Sequence, residues 1–264
     1  MDFSEDQIHR YARHIILDEV GGAGQAKLLA AKVLVVGAGG LGSPLLMYLA
    51  AAGIGTIGIV DDDHVSLSNL QRQIAHTTAR VGAAKTASAT ETLQALNSDV
   101  AVIAHDLRLG PDNVAALIAD YDVIADGSDN FATRFLLNDA CHLGGKTLVS
   151  AAVLRFDGQL STFKSHLGGA NPCYRCIYPA PPPDGLIPSC AEGGVLGALA
   201  GTMGSLQATE VIKEVLGIGE SLSGSLMIYE GLSAAFRKVR VKPDPACALC
   251  GAQPSITAVA AHAA

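Results

Sequence analysis

Four of the six cysteines fall into two pairs, Cys173-Tyr-Arg-Cys176 and Cys247-Ala-Leu-Cys250. Each pair can offer two thiolates to one metal from a single turn, and two such knuckles complete the tetrahedral four-sulfur set that zinc prefers. An isolated C-x-x-C also reads as a redox pair, but the first one follows Asn171-Pro172 in a loop rather than opening a helix, and there are two of them. One structural zinc ion per chain is expected, clipping the C-terminal segment onto a loop some seventy residues back. Cys141, inside an apolar helix, reads as core. Cys190 follows Pro188-Ser189 behind three prolines at 181–183, where a thiol is open to chemistry, and both a catalytic and a non-essential reading of it stand.

A second chemical signal lies upstream. Gly37-Ala-Gly39-Gly-Leu-Gly42 directly follows a buried apolar stretch and opens a helix, so backbone amides and the helix N-terminus can approach phosphate oxygens. Asp61 lies nineteen residues beyond Gly42 at the end of the next strand, where a carboxylate accepts hydrogen bonds from ribose hydroxyls. Nicotinamide cofactors and ATP both use such a turn. No G-x-x-x-x-G-K-[ST] run is present, which excludes a P-loop ATPase. The polar loop from Asp61 to Gln73, followed by Lys85, favours a triphosphate: Arg72 offers a planar fork and Lys85 a point charge for the β and γ phosphates. A nicotinamide-dependent reductase needs no such cations there, and the chain lacks a Tyr-x-x-x-Lys pair. Asp129, in Asp126-Gly-Ser-Asp129-Asn130, is placed to hold Mg²⁺ across phosphates, whereas Asn130 reads equally well as the cap of the next helix.

The elements that must position these residues follow from periodicity. An amphipathic helix is expected over 4–18, with Ser4 and Gln7 as a capping box, Ile8, Tyr11, Ile15 and Ile16 on one face, and His9, Arg10, Arg13 and His14 on the other. Strands at 33–36, 56–60, 100–104, 122–125 and 147–152 alternate with helices at 42–52, 83–96, 114–119 and 131–143, which predicts a doubly wound, Rossmann-like, mostly parallel sheet. A hairpin over 154–163 turning at Asp157-Gly158, a helix over 196–216 and strands at 225–229 and 236–241 add antiparallel strands at one edge. One domain over 1–251 is expected, followed by a frayed tail at 252–264.

Composition narrows the function. With 264 residues and 49% apolar content the chain can bury a substantial core. Its formal charge of −7, without a basic tract, argues against a nucleic-acid or anionic-membrane surface, so an anionic substrate must be met by a few focused cations. The N-terminus is no secretory signal, and the uncharged run 33–60 is interrupted by Pro44 and seven glycines; a cytoplasmic protein with no membrane span is expected.

The loop D-x-D-x-V-x-x-S-N-L-x-R-Q, the glycine turn, D-x-S-D-N-x-x-x-R completed by Arg134, and the two cysteine knuckles together resemble the HesA/MoeB/ThiF family over about residues 5–251, nearest its molybdopterin-synthase adenylyltransferases. These are relatives of ubiquitin-activating enzymes that adenylate the C-terminal Gly-Gly of a ubiquitin-like sulfur carrier. The resemblance implies that Gly40, Asp61, Ser68, Asn69, Leu70, Gln71, Arg72, Lys85, Asp129 and Asn130 line an ATP site. It implies that Arg13 reaches the phosphates of the neighbouring subunit of a homodimer, and that zinc sits on Cys173, Cys176, Cys247 and Cys250. Arg13, Arg72, Lys85 and Asp129 are then the catalytic set, with sulfur arriving from a separate donor. Thiamine-type carrier enzymes, tRNA-modifying relatives and a non-catalytic adaptor are the neighbouring readings; the four-cysteine set favours carriers.

Overall fold

The computed structural model describes residues 3–183 and 193–260. Eight strands form one sheet: β1 (Lys32–Val36), β2 (Thr56–Val60), β3 (Ala101–His105), β4 (Val123–Asp126), β5 (Thr147–Leu154), β6 (Asp157–Phe163), β7 (Ser225–Glu230) and β8 (Ala235–Arg240). Their order is β3-β2-β1-β4-β5-β6-β7-β8, parallel from β3 through β5 and antiparallel beyond. The expected architecture of a parallel doubly wound sheet with an antiparallel extension is therefore present.

The uncharged run of β1 is explained by burial on both faces. Val33 and Val35 join one apolar cluster with α3 (Gly42–Ala52), α4 (Lys85–Leu96) and α7 (Gly197–Leu216), while Leu34 and Val36 join another with α5 (Val114–Ala119) and α6 (Phe131–Leu143). Among the described residues no helix is long and apolar enough to cross a membrane.

Several expectations shift. The first helix, α1, spans Glu5–Ile15 rather than 4–18; the Ser4–Gln7 capping box forms, but only Tyr11 is buried, and Ile16 lies past the helix end at 73% exposure. A second helix, α2 (Gly21–Ala30), follows it. The hairpin turns at Arg155-Phe156, two residues before Asp157-Gly158, because Leu154 pairs with Asp157. Arg155 takes φ +55°, held by hydrogen bonds from its N–H to Gly194 O and from Leu196 N–H to its carbonyl. In the tail, residues 252–260 are irregular and mostly exposed, with Ile256 against the cysteine cluster and Val259 against the α6 core. Cys190 lies outside the described residues, and Cys141 is buried, its thiol pushed up by desolvation.

Candidate functional site

β1 has β2 on one side and β4 on the other, so the chain departs to opposite faces of the sheet from adjacent strands and leaves a crevice at their C-terminal ends. A cleft of about 330 Å³ occupies that crevice, within the range of small-ligand sites. The glycine turn forms its floor. Gly37 has φ +95°, and a Cβ there would stand 2.8 Å from Gly127 O; a Cβ on Gly42 would stand 1.8 Å from Gly37 O. No other residue type fits either position without moving backbone.

Asp61 anchors this turn. Its carboxylate accepts from Ala38 N–H at 2.7 Å and Asp63 N–H at 2.9 Å. Burial raises its pKa, and the nearby Lys85 charge and the two amides partly counter the rise. Behind the turn His76, 5% exposed, bridges Ala38 O at Nε2 and Ser88 Oγ at Nδ1, each at 2.9 Å. Because Ala38 O only accepts, Nε2 carries the proton and Nδ1 accepts from the serine. Desolvation lowers the imidazole's pKa, which favours the neutral form.

Six of the ten residues expected at a nucleotide site line the cleft: Gly40, Asp61, Arg72, Lys85, Asp129 and Asn130. Lys85 is the first residue of α4, 5% exposed, and its Nζ pairs with Asp63 Oδ2 at 2.7 Å. Asp129 reaches the cleft with no cation within ion-pair distance among the described residues, and Asn130 accepts from Thr133 N–H at 2.8 Å as the cap of α6, so its two readings are compatible. Ser68, Asn69, Leu70 and Gln71 do not line the cleft; they build the 3-10 turn that aims Arg72. Ser68 O accepts from Arg72 Nη1 at 3.2 Å, Asn69 Oδ1 accepts from Ser66 N–H at 3.2 Å, Leu70 N–H donates to Leu67 O, and Gln71 O packs against Gly197 at the start of α7. Arg13 is exposed on α1 and does not line the cleft of its own chain.

The cleft also holds residues that sequence reasoning did not assign. Leu107 and Leu109 supply an apolar wall beside Arg108, and Gln73, 4% exposed, turns its amide toward Gly39. Arg134, recognised only as the end of a motif, is 9% exposed and lines the cleft from α6.

The four cysteines of the two knuckles converge as their spacing predicts. Their sulfurs all lie within 4.8 Å of one another, with Cys173–Cys176, Cys173–Cys247 and Cys176–Cys250 separations of 3.9, 3.5 and 3.4 Å. A tetrahedron of thiolates about zinc has S–S edges of about 3.8 Å, so the donor set fits that ion. The first knuckle is bolted to α6: Arg175 forms two 2.8 Å hydrogen bonds to the fully buried Asp139, and Tyr174 N–H donates to Asn138 Oδ1 at 2.7 Å.

Known proteins are similar to this chain. A sulfur carrier protein adenylyltransferase of Thermus thermophilus is 48% identical over 257 residues, covering 97% of this chain and 95% of that protein. The adenylyltransferase and sulfurtransferase MOCS3 of Mus musculus is 50% identical over 255 residues, 96% of this chain; the chain spans 55% of that relative's length. Among solved structures, E. coli MccB crystallised with MccA-N7isoASN superposes with a TM-score of 0.77 at 21% identity, over 95% of this chain and 76% of that one, a likeness of fold. The ThiF family model matches residues 11–249, and with close relatives at about half identity along nearly its whole length the chain belongs to the ThiF family.

Proposed function

We propose that this chain adenylates the C-terminal glycine carboxylate of a ubiquitin-like sulfur carrier, of the molybdopterin-synthase small-subunit type, using ATP. The observation that carries this reading is the convergence of Arg72, Lys85 and Asp129 with the glycine turn in one cleft at the switch point of the sheet. Relatives named as adenylyltransferases, at 48–50% identity, support it. Leu107 and Leu109 offer the apolar wall a purine needs, and Asp61 keeps free lone pairs for ribose hydroxyls.

In the reaction a carboxylate oxygen forms a bond to the α-phosphorus while the bond to pyrophosphate breaks, and the leaving oxygen keeps the electron pair. No proton need move. Anion approaches anion, so cations and positioning do the work. Arg72 and Lys85 offset charge on the departing pyrophosphate. The cleft-facing Asp129 carboxylate would hold Mg²⁺, which would supply further neutralisation of phosphate charge. Arg13, remote from its own cleft, serves the site of the second subunit in a homodimer. Ile8, Ile16, Leu17 and Tyr48, each 49% exposed or more on or beside α1 and on α3, supply apolar surface for that contact. Zinc on the four cysteines is structural, and sulfur comes from a separate donor.

The test is to incubate the protein with MgATP and either a molybdopterin-synthase small subunit or a thiamine-type carrier, each ending in Gly-Gly, and to weigh the carrier. A mass increase of one AMP on the first is expected. No adenylate on either, with nucleotide bound, overturns the proposal.

A further inference from the structure

Arg134 is a buried cation with no ion-pair partner among the described residues. Its side chain lines the cleft at 9% exposure, on the first turn of α6. Among the described residues Nη2 donates to Ser128 O at 2.9 Å, the ring of Phe131 lies 5.6 Å away, and the guanidinium meets the Tyr174 hydroxyl, all of them uncharged partners. Among these residues Nε is buried without a hydrogen-bond partner, and no carboxylate lies within ion-pair distance. Arg175, comparably buried, has its guanidinium matched by both oxygens of Asp139. A buried charge held without its counterion is costly, and folds retain one where an anion is to arrive.

The space on the other side of Arg134 is too small for a carboxylate. A recess of about 20 Å³ there, lined by Ser150, Ala151, Ala152, Gln159 and Tyr178, carries no carboxylate and has room for about one water molecule. The anion must therefore come through the cleft. Arg72 and Lys85 line the cleft from the loop after β2 and the start of α4, beside the glycine turn, whereas Arg134 lines it from the β4–α6 side. A planar two-donor fork matches a carboxylate.

We propose that Arg134 binds the carboxylate of the incoming peptide C-terminus and orients it toward the α-phosphate. This role rests on the adenylation reading and names the substrate group that the residue holds.

The experiment compares wild type, Arg134→Gln and Arg134→Lys. The probe is the molybdopterin-synthase small subunit, prepared as the free C-terminal acid and as the C-terminal carboxamide, with a non-hydrolysable ATP analogue bound. Wild type should bind the acid about tenfold or more tightly than the amide, as expected for charge-assisted hydrogen bonds. In Arg134→Gln that gap should close to within about twofold, amide and nucleotide affinities holding within the same factor. Arg134→Lys should keep part of it. A gap that persists in Arg134→Gln, or a tenfold loss of nucleotide affinity there, overturns the assignment, the latter by placing the guanidinium on a phosphate. Should Arg134→Gln fail to fold, equal binding of acid and amide by wild type overturns it alone. Failure of wild type to adenylate either carrier, by contrast, refutes the adenylation reading itself.

Discussion

Arg72 and Lys85 share a task by different means, and the difference is testable. Among the described residues the Arg72 side chain makes one hydrogen bond, to Ser68 O, so Arg72→Ala should leave the thermal midpoint within a few degrees of wild type. Carrier-dependent ATP–pyrophosphate exchange should nevertheless fall by about 100-fold or more, the scale of losing a preorganised charge contact. Near-normal exchange would remove Arg72 from the site. His76 gives a pH prediction. Burial holds its pKa below the ordinary 6.5, so the folded protein excludes a proton that the unfolded chain accepts. Stability should then be lost as pH falls below about 6.5, by up to about 1.4 kcal/mol per unit for each such group. His105, His142 and His166 are depressed in the same direction. Asp61, raised above 3.8, works oppositely, its contribution being lost as pH rises through its folded value. Denaturant unfolding at pH 7 and pH 5 checks this: His76→Gln should show a smaller loss than wild type. Arg72, Lys85 and Asp129 were legible because the polar loop after β2, the start of the helix that follows it and the turn after β4 all belong to the C-terminal rim of a doubly wound sheet. His76, Gln73 and Arg134 carry no such local sign; their importance comes from neighbours such as Ala38, Gly39 and Ser128 that only the folded chain supplies.

Elements transmit these placements, and the zinc knuckle does so most directly. Its Arg175 grips Asp139 on the helix whose first turn carries Thr133 and Arg134 into the cleft. Metal analysis should find one zinc per chain, and stripping it with a chelator should lower the thermal midpoint by more than about 10 °C, since structural zinc contributes on the order of 10 kcal/mol. Arg175→Ala strands the Asp139 carboxylate without its guanidinium and should cost about 3–5 kcal/mol, whereas replacing both by apolar residues should cost less; denaturant midpoints of the three variants would separate these. The parallel half of the sheet was readable from alternating periodicities, and strand β2 and helices α5 and α6 fall where they were expected. Helix α2 was not, because Gly21, Gly22 and Gly24 give it no apolar stripe and packing alone orders it. The hairpin turn was misplaced for the opposite reason: Asp157-Gly158 is a strong local signal, yet Gly194 and Leu196 bond to Arg155 and hold the turn two residues earlier. Tertiary bonds outweighed turn chemistry there.

For the molecule as a whole the deciding question is whether a site is completed by one chain or two. Arg13 lies on a helix fastened at the edge of α4, where Arg10 Nη1 donates to Leu96 O at 3.0 Å and Gln7 Nε2 to Asp99 at 3.2 Å. That anchorage keeps Arg13 out of its own cleft and presents it outward. If it acts on a second subunit, Arg13→Ala and Arg72→Ala inactivate complementary halves of one composite site. Neither variant alone should support exchange. In a mixed dimer, however, the site built on the Arg13→Ala chain keeps its own Arg72 and receives a wild-type Arg13 from its partner, while the other site loses both. Equal amounts of the two variants, unfolded together and refolded with zinc, should therefore recover about a quarter of wild-type activity, because half of the randomly formed dimers are mixed and each has one complete site. Arg13 acting within its own chain predicts no recovery at any ratio. The recovered activity should peak at equal mixing and follow the product of the two fractions, a dependence that residual activity in either variant cannot imitate.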